Sequence, residues 1–159
     1  MKNTVKSSVF ILLAILAASC SSDSNDDNPM DTAASVEAVS NLATSGTWRI
    51  SSFIDSGTDE TNDFTGYSFS FNSDGSLVAD NGTAIITGTW SITSDDSSDD
   101  SDDYDSSDDI DFNILFSAPP DFAELSDDWD IVFRSDTRIE LIDISGGNGG
   151  TDTLTFQKN

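Results

Sequence analysis

The sequence predicts an all-β fold: an eight-stranded antiparallel up-and-down β-barrel preceded by one short helix. Three observations point there. From Gly46 onward apolar and polar residues alternate with period two, the spacing of half-buried strands. The links between several of these segments are short and rich in Asp, Asn and Gly, so their neighbours run antiparallel. No crossover helix interrupts the series, which argues against a parallel sheet. A two-sheet sandwich would satisfy the same pattern, but closing the barrel removes the exposed edges that an open sheet leaves.

Ahead of the strands, residues 1–19 carry the parts of an export signal: Lys2 and Lys6, an apolar run over 9–18, then small residues before Cys20. A membrane-spanning helix needs about 20 apolar residues, and this run has about half of that. Residues 20–32 are polar and acidic, with Asp23, Asp26 and Asp27, and read as a disordered tether. Residues 33–159 are then one domain, long enough to bury a core. Over 33–44, Val36, Val39, Leu42 and Ala43 recur at helical spacing, with Asp31 or Thr32 as N-cap and Gly46 just past the end.

The strands follow in order. Trp48, Ile50 and Ile54 alternate with Thr47, Arg49 and Ser51; Tyr67, Phe69 and Phe71 alternate with Ser68 and Ser70. The period continues over 77–79, through Ile86, Gly88, Trp90 and Ile92, and through Ile110, Phe112, Ile114 and Phe116. Trp129, Ile131 and Phe133, then 138–144, then Leu154 and Phe156 complete the eight. Ser73-Asp74-Gly75 and Asn81-Gly82 supply the left-handed backbone of tight hairpins, and Ser135-Asp136-Thr137 leaves room for little else. Longer links are 55–65, an acidic loop at 94–109, Pro119-Pro120-Asp121 with a helical turn through Leu125, and the Gly-rich 145–151.

Several motifs carry resemblances. Ala17-Ala18-Ser19-Cys20 resembles the bacterial lipobox, which implies that the Cys20 sulfur takes a diacylglycerol; an ordinary cleaved signal leaving a free thiol is the alternative. Two or three acyl chains would hold the protein firmly on a membrane, where one alone holds marginally. The acidic residues soon after Cys20 resemble the export signal of Bacteroidota lipoproteins, implying an outer-membrane protein displayed at the cell surface. Gly46-Thr47-Trp48 after a short helix resembles the lipocalins, whose Trp plugs the closed end of the barrel. Residues 46–158 as a whole are similar to the small lipocalin-like lipoproteins of Bacteroidota. The shared features are Gly46-Thr47-Trp48, Tyr67-Ser68-Phe69-Ser70-Phe71-Asn72 running into Asp74-Gly75, Gly88-Thr89-Trp90, the segment 125–129, and Leu154-Thr155-Phe156-Gln157-Lys158. Lipocalins carry a Thr-Asp-Tyr type motif between strands six and seven, where this chain has only Ser135-Asp136-Thr137. They also pack an Arg across the plug Trp, a part open here to Lys158 or Arg138.

Function is less legible. Past Cys20 there are four basic side chains, Arg49, Arg134, Arg138 and Lys158, against thirty acidic ones, which excludes nucleic acid as a partner and favours diffuse cation attraction. The chain has no His and spends its one Cys on lipid, so Ser-His and Cys-His nucleophiles are excluded; with thirty carboxylates, any chosen acid pair is a chance pair. No enzyme activity and no cofactor are expected. In the run 95–109 nine of fifteen residues are Asp, and this acidic loop is expected to be disordered. Asp99, Asp100, Asp102, Asp103 and Asp105 are its candidates for weak Ca²⁺ binding, although the EF-hand spacing of Gly and Glu is missing. Trp48, Tyr67, Phe69, Trp90, Phe112 and Phe133 are candidates to line a barrel interior that takes a small hydrophobic ligand, and they serve equally as a filled core. Three roles therefore compete: a module binding an apolar molecule, a surface interaction lipoprotein with a filled barrel, and a Ca²⁺-responsive adhesion element.

Overall fold

The computed structural model describes residues 29–94, 110–144 and 150–159. The expected signal segment, Cys20, the acidic run 95–109 and its candidate aspartates lie outside the described residues. A helix, α1 (Pro29–Thr44), precedes β1 (Thr47–Asp55). A two-residue strand, β2 (Thr58–Asp59), folds back on β1 and leads into a 3₁₀ turn, Thr61–Phe64. Then come β3 (Ser68–Phe71), β4 (Ser76–Asp80), β5 (Ile85–Ser94), β6 (Ile110–Leu115), a single helical turn α2 (Pro120–Ala123), β7 (Asp127–Ser135), β8 (Arg138–Ile144) and β9 (Thr151–Lys158). From β3 to β9 each strand pairs antiparallel with the next, β1 pairs with β3, and β9 returns to pair with β1 from Trp48↔Lys158 to Ile54↔Thr153. The sheet therefore closes as an eight-stranded meander barrel, as the alternation and short links imply, and the sandwich is ruled out.

The hairpin signals act as expected. Gly75 and Gly82 adopt φ of 83° and 80°, and the adjoining acids take up turn N–H groups: Ser76 N donates to Asp74 Oδ1 and Gly82 N to Asp80 Oδ1. Gly88 has a different reason to be glycine. A Cβ there would lie 2.4 Å from the carbonyl oxygen of Leu115 and 2.7 Å from the Phe116 ring, so its absence lets the end of β6 pack against β5.

Three expectations are corrected. α1 starts at Pro29 rather than at 33, so the last residues of the expected tether are helical, and Asp31 and Thr32 lie inside the helix instead of capping it. Proline suits this position because its ring presets a helical φ and the first turn has no use for its N–H. On β1 a bulge between Ile50 and Ser52 reverses the alternation, so that Phe53 is buried where Ile54 was expected. On β7 a second bulge, between Ile131 and Phe133, does the same. Phe133 pairs with Glu140 on the outer face and is 48% exposed, so it lines no interior. Because Phe133 buries only about half of its surface, Phe133→Ser should lower the unfolding free energy by about 1 kcal/mol, well short of the roughly 3–5 kcal/mol of a core phenylalanine. A urea titration would check this, and a loss typical of a core phenylalanine would place the ring inside after all.

Every other phenylalanine among the described residues is buried, together with the three tryptophans, and no polar or charged residue among those described is buried with them. The core runs the length of the barrel. α1 covers one end through Val39 and Ala43; the 3₁₀ turn and α2 cover the other through Phe64 and Phe122.

Candidate functional site

Of the six expected interior residues, the structure places Trp48, Phe69, Trp90 and Phe112 in the core and Tyr67 half-buried at its edge, one residue before β3. They are engaged with each other and with neighbouring rings. Phe71 stands edge-on to Trp90, Phe112 and Phe156, each with centroids 5.3 Å apart. Phe69 meets Phe156 at 5.7 Å, and Phe53 meets Trp129 at 6.4 Å. Such edge-to-face pairs add about 0.5–1.5 kcal/mol beyond the area they bury. The polar ends of the indoles are also used: Nε1 of Trp48 donates to Ala43 O at 2.8 Å, that of Trp90 to Asn72 O at 2.9 Å, and that of Trp129 to Leu125 O at 3.1 Å. An incoming ligand would find these donors spent.

At the helix-covered end, the Trp48–Ala43 bond ties β1 to the last turn of α1. Lys158 Nζ lies 5.4 Å from the centroid of the Trp48 ring and donates to Ser45 Oγ at 2.7 Å. Lys158 thus is the basic residue set over the Trp48 ring, whereas Arg138 pairs with Glu140 at 2.9 Å.

The opposite end holds an arrangement that the alternation could not show. Carboxylate oxygens of Asp55 at the end of β1, Glu60 before the 3₁₀ turn and Glu124 after α2 lie within 4.8 Å of one another. Glu60 Oε2 is buried and accepts no hydrogen bond. A shared proton with Glu124, then burial, then the negative charges of Glu124, Asp55 and Asp63 push Glu60 up from 4.5 to about 7. Burial, with a further contribution from the Asp128 side chain, likewise raises Asp127 to about 6. Because Glu60 shares a proton with Glu124, the cluster reads as a proton-sharing acid pair with the Asp55 carboxylate beside it.

The sign of the pH dependence follows. Between pH 4.5 and about 7 the folded protein holds a proton at Glu60 that the unfolded chain has released, so stability falls as pH rises through that window and levels off above it. The melting temperature should drop from pH 5 to pH 8, and Glu60→Gln should reduce the drop, leaving the smaller part due to Asp127. A variant with the same pH profile as the parent chain would show that Glu60 carries no such proton.

Sequence reasoning missed Glu60 and Glu124 because they sit on connections, where no period fixes which side chains meet. The one signal available was the helical turn after Pro119-Pro120, which brings Phe122 and Glu124 over the barrel end.

Comparison with known proteins adds little chemistry. No family model matches the chain, and no curated protein does. Among solved structures it is similar to a DUF4847 family protein from Bacteroides vulgatus, with 18% sequence identity and a TM-score of 0.48 over 76% of this chain and 97% of that one.

Proposed function

We propose that this protein is a lipid-anchored lipoprotein of the cell envelope whose lipocalin-like barrel is a non-catalytic binding module with a filled interior, making its contacts on the outside of the wall and at the loops. The filling of the barrel carries the reading. Rings at 5.3–6.4 Å occupy the space a calyx ligand would need, and all three indole donors are satisfied by backbone carbonyls. The anchor rests on the lipobox-like Ala17-Ala18-Ser19-Cys20, and surface display on the acidic residues that follow.

Native mass spectrometry of the protein released gently from membranes tests the interior. The acylated chain should fly without an apolar passenger, and a stoichiometric lipid or pigment would restore the open-calyx reading. Metabolic labelling with a fatty-acid analogue, lost in Cys20→Ser, tests the anchor separately. Protease shaving of intact cells tests display, and complete protection until lysis would argue for an inward-facing protein.

A further inference from the structure

We propose that a crevice in the barrel wall between β1 and the segment leading into β3 binds a small monocarboxylate with a flat apolar body. The ladder between these strands is only two residue pairs long, Thr47↔Ser70 and Trp48↔Phe69, after which the strands part. The opening is a crevice of about 290 Å³. Ile50 and Phe64 supply the buried part of its lining; Arg49, Thr65, Tyr67 and Asn159 supply polar groups.

The cation is the informative member. In a chain with thirty acidic residues, Arg49 forms no ion pair among the described residues; its guanidinium donates to the Gln157 side-chain oxygen on the neighbouring strand. Gln157 lies on β9, across β1 from the crevice; this neutral amide leaves the charge uncancelled and most of the five N–H donors unused, so a ligand in the crevice recruits the flexible side chain at the cost of this one bond. The Thr65 and Tyr67 hydroxyls likewise have no hydrogen-bond partner among the described residues. The Tyr67 ring is held against Phe122, with centroids 5.0 Å apart and planes at 77°. Asn159 pins the lower edge by donating to Ser68 Oγ at 2.8 Å and Thr47 Oγ1 at 3.2 Å. An apolar floor with one uncompensated guanidinium and two free hydroxyls suits a carboxylate set on a ring-sized body: the carboxylate meets the guanidinium fork and the body covers Ile50 and Phe64. Size and charge narrow the class. The crevice is at the small end of ligand pockets, and the strongly negative field of the protein disfavours multiply charged anions such as phosphate.

The proposal rests on the binding-module reading and not on the anchor. Its test is an NMR titration of the full chain with benzoate as the probe, with benzamide and inorganic phosphate beside it. Benzoate should shift the amides of Gly66, Ser68 and Asn159 saturably. Benzamide and phosphate should bind at least about tenfold more weakly, and Arg49→Gln should weaken benzoate by about tenfold while leaving the thermal transition in place. Equal affinity for benzoate and benzamide, an Arg49→Gln variant as good as the parent, or no saturable benzoate response would each overturn it. Should crosslinking on cells recover a partner protein while benzoate stays silent, the crevice proposal falls and the binding-module reading stands.

Discussion

Trp48→Ala is expected to lower the unfolding free energy by about 3–5 kcal/mol, read as the shift of a urea midpoint at constant slope. The ring is fully buried where β1 begins, so truncation leaves a cavity that neighbours on the closed sheet cannot collapse into without breaking the pairings with Phe69 and Lys158. Two further attachments go with it. The Nε1 bond to Ala43 O, which joins β1 to α1, is lost, and Lys158 loses the ring beneath its ammonium. Trp48→Phe separates the contributions: it keeps most of the volume and removes the indole N–H, and should cost well under the alanine value. A Trp48→Ala protein within about 1 kcal/mol of the parent would show that this ring does not plug the barrel.

Phe122→Ala should cost a similar amount, about 3–5 kcal/mol, for a different physical reason. α2 is one turn long and has no side-chain cap, so its only local supports are its own turn hydrogen bonds and the bridge of Ser126 Oγ to the backbone of Phe116 at its base. What fixes it is Phe122, whose ring meets those of Phe64, Tyr67, Phe69 and Phe116 at 5.3, 5.0, 6.1 and 5.2 Å. Removing the ring uncovers this end of the core and releases the segment that carries Glu124. Calorimetry should show the stability loss, and hydrogen exchange should show protection falling first around 117–126. Equal protection there in variant and parent would mean that the turn is held by something other than this ring.

The parts of the fold visible in the sequence are those where a local rule and the global structure agree. Phe69, Phe71 and Phe112 face inward because period two on an unbulged strand leaves them no alternative, and Asp74-Gly75 and Asn81-Gly82 mark their hairpins because few residues tolerate that backbone. Phe53 and Phe133 escaped the same rule because each follows a bulge, and one extra residue reverses the faces of everything beyond it. Nothing in the residues Ser51 or Val132 announces such an insertion; it is fixed by register against β9 and β8. The candidate site was less legible still. Alternation could nominate ring-bearing positions, but whether those rings enclose a space or fill it depends on which pairs meet. The Glu60–Glu124 contact joins two connections 64 residues apart in sequence. The Arg49 crevice exists only because the β1–β3 ladder stops after two pairs.

Nuclear Overhauser spectroscopy of the folded domain tests the closed, self-filled barrel most directly. Cross-strand contacts should link Trp48 to Lys158 and Ile50 to Phe156, closing the sheet, and ring-to-ring contacts should join Phe71 to Phe112 and Phe156 and Phe53 to Trp129. Missing β1–β9 contacts, or rings that see each other only through a bound molecule, would contradict it.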